Sequence, residues 1–246
     1  MRLRSAFHTE CRQRRDWTIM FHRPCAFTPA SPLSGMPTPG DVLKFWYPDP
    51  DTQARPDHAR WFQGGEELDR QIAQRFGGLC DALRDNHGQR AALVTSWQTE
   101  HGPAGVLALT IVADQFFRNV FRKTATAFEG DRLALCCAKM SMERMYDAKT
   151  YGRYGRSFGV ILPLMHSENL HDHDLLESRF KLYRSLDLEN HGEDMALSYD
   201  GEQEFERKHR VILERFGRYP HRNAVLGRVS SQAEIEFLVD SDSFGQ

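Results

Sequence analysis

The chain has 246 residues, 40% hydrophobic and 27% charged, with a formal net charge of -2 at pH 7. That length allows one large domain or two small ones, and the composition is ordinary for a soluble globular protein. No apolar run approaches the roughly 18–20 residues of a membrane-crossing helix, so a helical membrane protein is excluded. The near-neutral charge gives no global pull toward nucleic acid. Five cysteines without C-x-x-C spacing argue against a disulfide framework or a cysteine zinc site.

The charge is unevenly placed. Residues 1–35 carry six arginines against Glu10 and Asp16, a local +4 that leaves -6 for the remainder. Pro24, Pro29, Pro32 and Gly35 interrupt this stretch, and it has no apolar periodicity, so it reads as a disordered extension. An Arg-rich leader can also be a cleaved transit peptide, but Glu10 and Asp16 spoil that composition. The expectation is a cytoplasmic protein, or an organellar one if the leader is cleaved, with organised sequence over 36–240.

From Thr38 onward the pattern is helical. Thr38 precedes Pro39 and Asp41, a cap followed by proline at the first helical position, then Val42, Leu43, Phe45 and Trp46. Leu68, Ile72, Phe76, Leu79 and Leu83 recur at three- and four-residue steps, predicting a helix over about 66–84. Pro103 opens a segment to Phe121 that is apolar around most of its circumference and predicts a central helix. Further helices are expected over 131–146 and 174–186, the second preceded by an apolar stretch over 158–165. Another is expected over 201–216, with Phe205, His209, Ile212 and Phe216 on one face and Gly217 as its stop. Ser231 and Glu234 form a capping box for a terminal helix. No alternating strand and no Gly-rich phosphate loop is visible. The fold class is all-α, a single domain of seven to nine helices joined by short turns, without a repeat of fixed period.

Three polar clusters interrupt this apolar background. The first is Asp114-Gln115-Phe116-Phe117-Arg118-Asn119, in which Asp114 and Arg118, and Gln115 and Asn119, stand four residues apart on shared faces. The second is Leu162-Pro163-Leu164-Met165-His166-Ser167-Glu168-Asn169, where Pro163 removes a helical hydrogen bond and should kink the chain. The third runs Phe216-Gly217-Arg218-Tyr219-Pro220-His221-Arg222-Asn223, and Pro220 should hold Tyr219 extended.

These clusters carry a resemblance, together with Phe45-Trp46, Arg60-Trp61-Phe62, the stretch 122–131, Ser231 to Leu238, and Gly227-Arg228. The chain resembles an uncharacterised, mainly bacterial family known as domain of unknown function 924, over about Asp41 to Leu238. Ala113, Phe117 and Tyr219 depart from the family's usual leucine, proline and phenylalanine. The resemblance implies a tetratricopeptide-like helical bundle or solenoid and places residues 1–35 outside the domain. It implies no reaction.

Each cluster has a structural and a functional reading. Asp114 and Arg118 can be an ion pair that orients the bundle. His166 with Glu168, or His221, can supply a general base. Arg218, His221, Arg222 and Asn223 offer many donors and few acceptors, which suits a carboxylate or phosphate. Asp114, Gln115, Arg118, Asn119, His166, Glu168, Arg218, His221, Arg222 and Asn223 are therefore expected to meet at one ligand-binding site. His209 reads as a hydrogen-bonded core histidine. His171 and His173 are two apart and diverge on a helix, so neither a metal nor another cofactor is expected. Cys136 and Cys137 read as packing residues. Binding of a small anion or a peptide partner ranks first, a hydrolytic or acid–base enzyme second and a scaffold third. No nucleophile elbow, Walker or dinucleotide signature is present. Expressed from Met36, the chain should melt at the same midpoint as the full chain; a drop of several degrees would show that residues 1–35 dock on the domain.

Overall fold

A computed structural model describes residues 35–48, 58–84, 88–191 and 199–240, all within one compact unit. The stretch read as a disordered extension lies outside the described residues, apart from Gly35. Eleven helices and no strand are found among the described residues. They are α1 (Pro39–Trp46), α2 (His58–Gln63), α3 (Gly65–Arg84), α4 (Gln89–Glu100), and α5, which runs Gly102–Ile111, Val112–Phe116 and Phe117–Val120. Then come α6 (Asp131–Glu143), α7 (Tyr146–Lys149), and α8, which runs Arg153–Arg156, Ser157–Ile161 and Leu162–Met165. The chain closes with α9 (Leu170–His191), α10 (Asp200–Phe216) and α11 (Gln232–Asp240).

The all-α expectation holds. The helices beyond the expected seven to nine are α2, α4 and α7, which are too short or too weakly periodic to read from sequence.

Local signals hold where capping chemistry is strong. Thr38 and Asp41 cap α1 reciprocally, and Ser231 and Glu234 do the same for α11. Gly217, at φ 70°, ends α10, and Tyr219 is extended before Pro220. The expected 131–146 helix instead ends at Glu143, because Met145 turns into the left-handed region at φ 57°.

The core forms around α5, as its apolar circumference requires. Val106, Ala108, Leu109, Ile111, Val112, Ala113 and Phe116 are fully buried. α5 packs against α1, α3, α4, α6 and α8. Phe45, Trp46, Trp61, Phe76, Phe116 and Phe158 form a contiguous aromatic cluster, with Trp61 and Phe158 centroids 4.8 Å apart. Trp61 donates its indole N–H to the Trp46 carbonyl at 3.1 Å, so the aromatic residues at α1 and α2 are one packing unit.

Two π-helical turns set the geometry of the core. In α5, the Phe117 N–H reaches back five residues to the Val112 carbonyl. In α8, the Leu162 N–H does the same to Ser157, just before Pro163. The break expected at Pro163 is thus taken up by a widened turn, which gives the proline ring room that a tighter α turn would not. At the α5 turn, Gly130 lies so close that a Cβ there would stand 2.1 Å from the Ala113 carbonyl oxygen.

One sequence expectation fails on α10. Phe205 is 56% exposed, whereas Glu206 is buried. The reason is His173: its Nδ1 pairs with Glu206 at 2.8 Å and its Nε2 donates to the Ser167 carbonyl at 2.9 Å. A buried carboxylate with a partner has turned the helix face by one residue. His209 lies buried, with Nδ1 bonded to the Phe205 carbonyl, in accord with its reading as a core histidine.

Phe158→Ala should cost about 3–5 kcal/mol, the usual penalty for emptying an aromatic site in a core. Chemical denaturation checks this, and a loss under 1 kcal/mol would mean that the cluster is loosely packed.

Candidate functional site

Asp114 sits inside the α5 π turn with its side chain only 1% exposed. Its Oδ1 receives His166 Nδ1 at 2.8 Å and Arg118 Nη1 at 3.2 Å, and its Oδ2 receives the Gln115 amide at 2.6 Å. Burial opposes the charge of this carboxylate, but His166 and Arg118 outweigh it and hold the group well below the usual carboxylate range. The carboxylate is therefore ionised, and Nδ1 of His166 must carry the proton between them.

Arg118 is the second anchor. It pairs with Asp131 at 2.9 Å as well as with Asp114, yet its buried Nε and Nη2 make no hydrogen bond among the described residues. Burial works against its charge, and Asp131 and Asp114 restore it. Asp131 also reaches Arg222 at 3.4 Å, and Arg222 is clamped between the Phe128 and Tyr219 rings at 4.9 and 4.7 Å. Asn119 and Arg122 both hold Asp69 on α3, at 2.8 and 2.6 Å.

These residues surround a cavity of about 390 Å³. Gln115, Arg118, Asn119 and Arg122 line it from α5 and the turn after it, His166 from the end of α8, and His221 from the 3-10 turn Pro220–Arg222. Lys123 adds a further cation at the rim; it has φ 63° and no ion pair among the described residues. Gly64 and Gly65 bring the N-terminus of the 20-residue α3 to the wall, where its first N–H groups lack helical partners. A Cβ on Gly64 would stand 2.5 Å from the Arg60 carbonyl oxygen, so this close turn requires glycine. Trp61, Leu68, Phe128, Leu162 and Val225 supply apolar wall. No carboxylate is among the described lining residues.

Not all ten expected residues come together. Asp114, Gln115, Arg118, Asn119, His166 and His221 converge here, with Arg222 behind them through Asp131. Glu168 goes elsewhere: it accepts the Tyr219 N–H at 2.7 Å and both Arg228 Nη groups at 2.7 and 3.0 Å. The partner of His166 is thus Asp114, and not Glu168 as the sequence suggested. Arg218 is paired with Glu234 at 2.7 Å and with the Val229 carbonyl, which fastens α11. Asn223 donates to Ser230 and accepts Arg228's backbone N–H, which closes its own loop. Glu168 and Arg218 are locks between elements, each with a charged partner close by, and Asn223 is a lock within its loop.

Sequence reasoning missed Asp69, Asp131 and Lys123. Arg122-Lys123 directly continues the Arg118-Asn119 motif, which was the available signal. His171 and His173 both lie on α9, His173 buried against Glu206 and His171 exposed. Among the described residues, no group of three or more His, Cys, Asp or Glu is arranged to hold a metal ion. Cys137 is buried, and burial pushes its thiol up to about 12.

With this architecture in view, the chain is placed by comparison. The model of the family described as "Bacterial protein of unknown function (DUF924)" matches residues 42–242, and the chain belongs to that family. It is similar to a solved structure from Agrobacterium tumefaciens, the protein of unknown function ATU0120, with 27% identity and a TM-score of 0.61. That match covers 82% of this chain and 97% of the other. No curated protein matches. No helix of the described residues is long and apolar enough to cross a membrane.

The histidines make stability depend on pH. Burial lowers His166 below its ordinary 6.5, lowers His209 to about 4 and lowers His221 to about 3, aided at His221 by Arg222. His173 goes the other way: burial opposes its charge, but Glu206 raises it above 6.5. In the unfolded chain each histidine takes up a proton near pH 6.5. The three depressed groups bind that proton only in the unfolded state, so stability should fall as pH drops from about 6.5 toward 4. His173 has the opposite sign and loses its contribution as pH rises through its raised pKa. Melts in dilute buffers should show the acid loss, and it should shrink in His221→Asn.

Proposed function

We propose that the cavity binds a small organic anion carrying a phosphate or carboxylate group. The observation that carries this reading is the composition of the wall: among the described residues, Arg118, Arg122 and Lys123 line it and no Asp or Glu does. Among the described residues Arg118 also has two buried nitrogens without a hydrogen-bond partner, and a charged donor left unpaired in a protein interior is costly. The N-terminus of α3, which carries a partial positive charge, stands at the same wall through Gly64 and Gly65. The apolar wall suits a ligand with a carbon skeleton beside its anionic group.

A peptide held along a helical groove, as tetratricopeptide-like folds offer, finds less support. The polar residues gather around a hollow near the size of a small molecule.

Inorganic phosphate should raise the melting temperature beyond sodium chloride of equal ionic strength, growing with the logarithm of concentration once the site fills. Lys123→Gln removes a cation without an ion pair, so it should leave the unliganded melt unchanged and weaken binding by roughly tenfold, about 1.4 kcal/mol. Arg222→Ala is a poor probe, because it also empties the space between Phe128 and Tyr219. Equal shifts from phosphate and chloride would reject the pocket.

A further inference from the structure

We propose that Asp114 and His166 form an acid–base dyad that hydrolyses small phosphate monoesters held in this cavity by Arg118 and Lys123. The proposal rests on the anion-binding reading and deepens it.

The geometry begins with the imidazole. His166 is part of the cavity wall, while Asp114 lies behind it and holds its Nδ1 at 2.8 Å. That bond fixes the Nδ1–H tautomer and leaves Nε2 as a lone-pair acceptor, which makes no hydrogen bond among the described residues. Burial keeps the ring neutral near pH 7, as a proton acceptor must be. Asp114 is a positioning residue, and His166 is the group that would touch the reacting atoms.

Substrate class follows from a shared oxygen. Asp114 Oδ1 receives both His166 Nδ1 and Arg118 Nη1, so the base and the principal cation stand side by side. Arg118 and His166 both line the cavity, so an anion held there shares one hollow with the base. A substrate served by this arrangement carries its negative charge at the scissile centre itself. Phosphate monoesters satisfy this, because the oxygens that carry the charge are bonded to the phosphorus that is attacked. The walls of Trp61, Leu68, Phe128 and Leu162 remain for the alcohol portion.

The step balances without a further reactant. Water attacks phosphorus in line while one of its protons passes to Nε2. The P–O bond to the alcohol breaks and its electron pair leaves on the ester oxygen, which lies on the face away from the imidazole and takes a proton from solvent, while the imidazolium returns its proton to solvent. The products are the free alcohol and inorganic phosphate, and the dyad returns to its starting state. Charge spreads over the phosphoryl oxygens in the transition state, where Arg118 and Lys123 are positioned to stabilise it.

The experiment uses the full chain with p-nitrophenyl phosphate and p-nitrophenyl acetate. Wild type should release p-nitrophenol from the phosphate, with an acid limb below the ordinary histidine range. His166→Asn should lose about 10²–10⁴-fold in kcat, the usual contribution of a positioned base. Lys123→Gln should raise KM and lower kcat as well, since Lys123 meets the phosphoryl charge both in the bound ester and in the transition state. Asp114→Asn should move the acid limb to lower pH, since the carboxylate supports the imidazolium. Where that variant fails to fold, carbethoxylation of wild-type His166, followed by mass spectrometry, gives a second reading. It should be fast at pH 7 and slowed by phosphate. Undiminished turnover in His166→Asn overturns the dyad, as does activity on the acetate alone. Phosphate that stabilises the fold without turnover of the ester also overturns it, leaving the binding pocket intact. Phosphate that neither stabilises nor protects removes the pocket with it.

Discussion

The Asp114 carboxylate is the constraint around which this molecule is arranged. A charge with a side-chain exposure of 1% must be met by donors or it would not stay ionised. Gln115 and Arg118 meet it from its own helix, and His166 meets it from the end of α8, 52 residues away. Removing one partner of a buried pair typically costs about 3–5 kcal/mol, so this carboxylate fixes how α5 and α8 meet. The relay continues through Arg118, Asp131 and Arg222 to the rings of Phe128 and Tyr219. Charges of alternating sign therefore connect the central helix to the late loop.

Both π turns flank this junction. Val112–Phe116 contains Asp114 itself, and Ser157–Ile161 lies within the helix that delivers His166. A π turn loosens backbone winding, so it persists where surrounding packing sustains it. Here the surroundings are fully buried: Phe116 and Phe158 both lie in the aromatic cluster. Gly130 contributes by allowing α6 to begin against the Ala113 carbonyl.

Polar residues that look alike in sequence divide into two kinds in space. Glu168 and Arg218 are paired with Arg228 and Glu234, and Asn223 bonds Ser230 within its loop. Among the described residues, Arg118 has donors without partners and Lys123 has no ion pair, at a wall where no described carboxylate stands. This difference in satisfaction, and not residue type, separates a lock from a site.

The sequence by itself determined the helical class, the central place of α5, the caps at Thr38 and Ser231, the stop at Gly217 and the family. These features depend on periodicity and on contacts within a few residues, where chain connectivity already fixes the neighbours. Six members of the site were legible as well, because charged groups in apolar runs are conspicuous. Tertiary structure alone decided that Asp114, not Glu168, serves His166, and that Arg218 faces Glu234. It also decided that Asp69, Asp131 and Lys123 belong with the cavity, and that Glu206 rather than Phe205 turns inward. In each case the deciding partner lies on another element, and the cost of leaving a buried charge unpaired selects it only once the helices have packed.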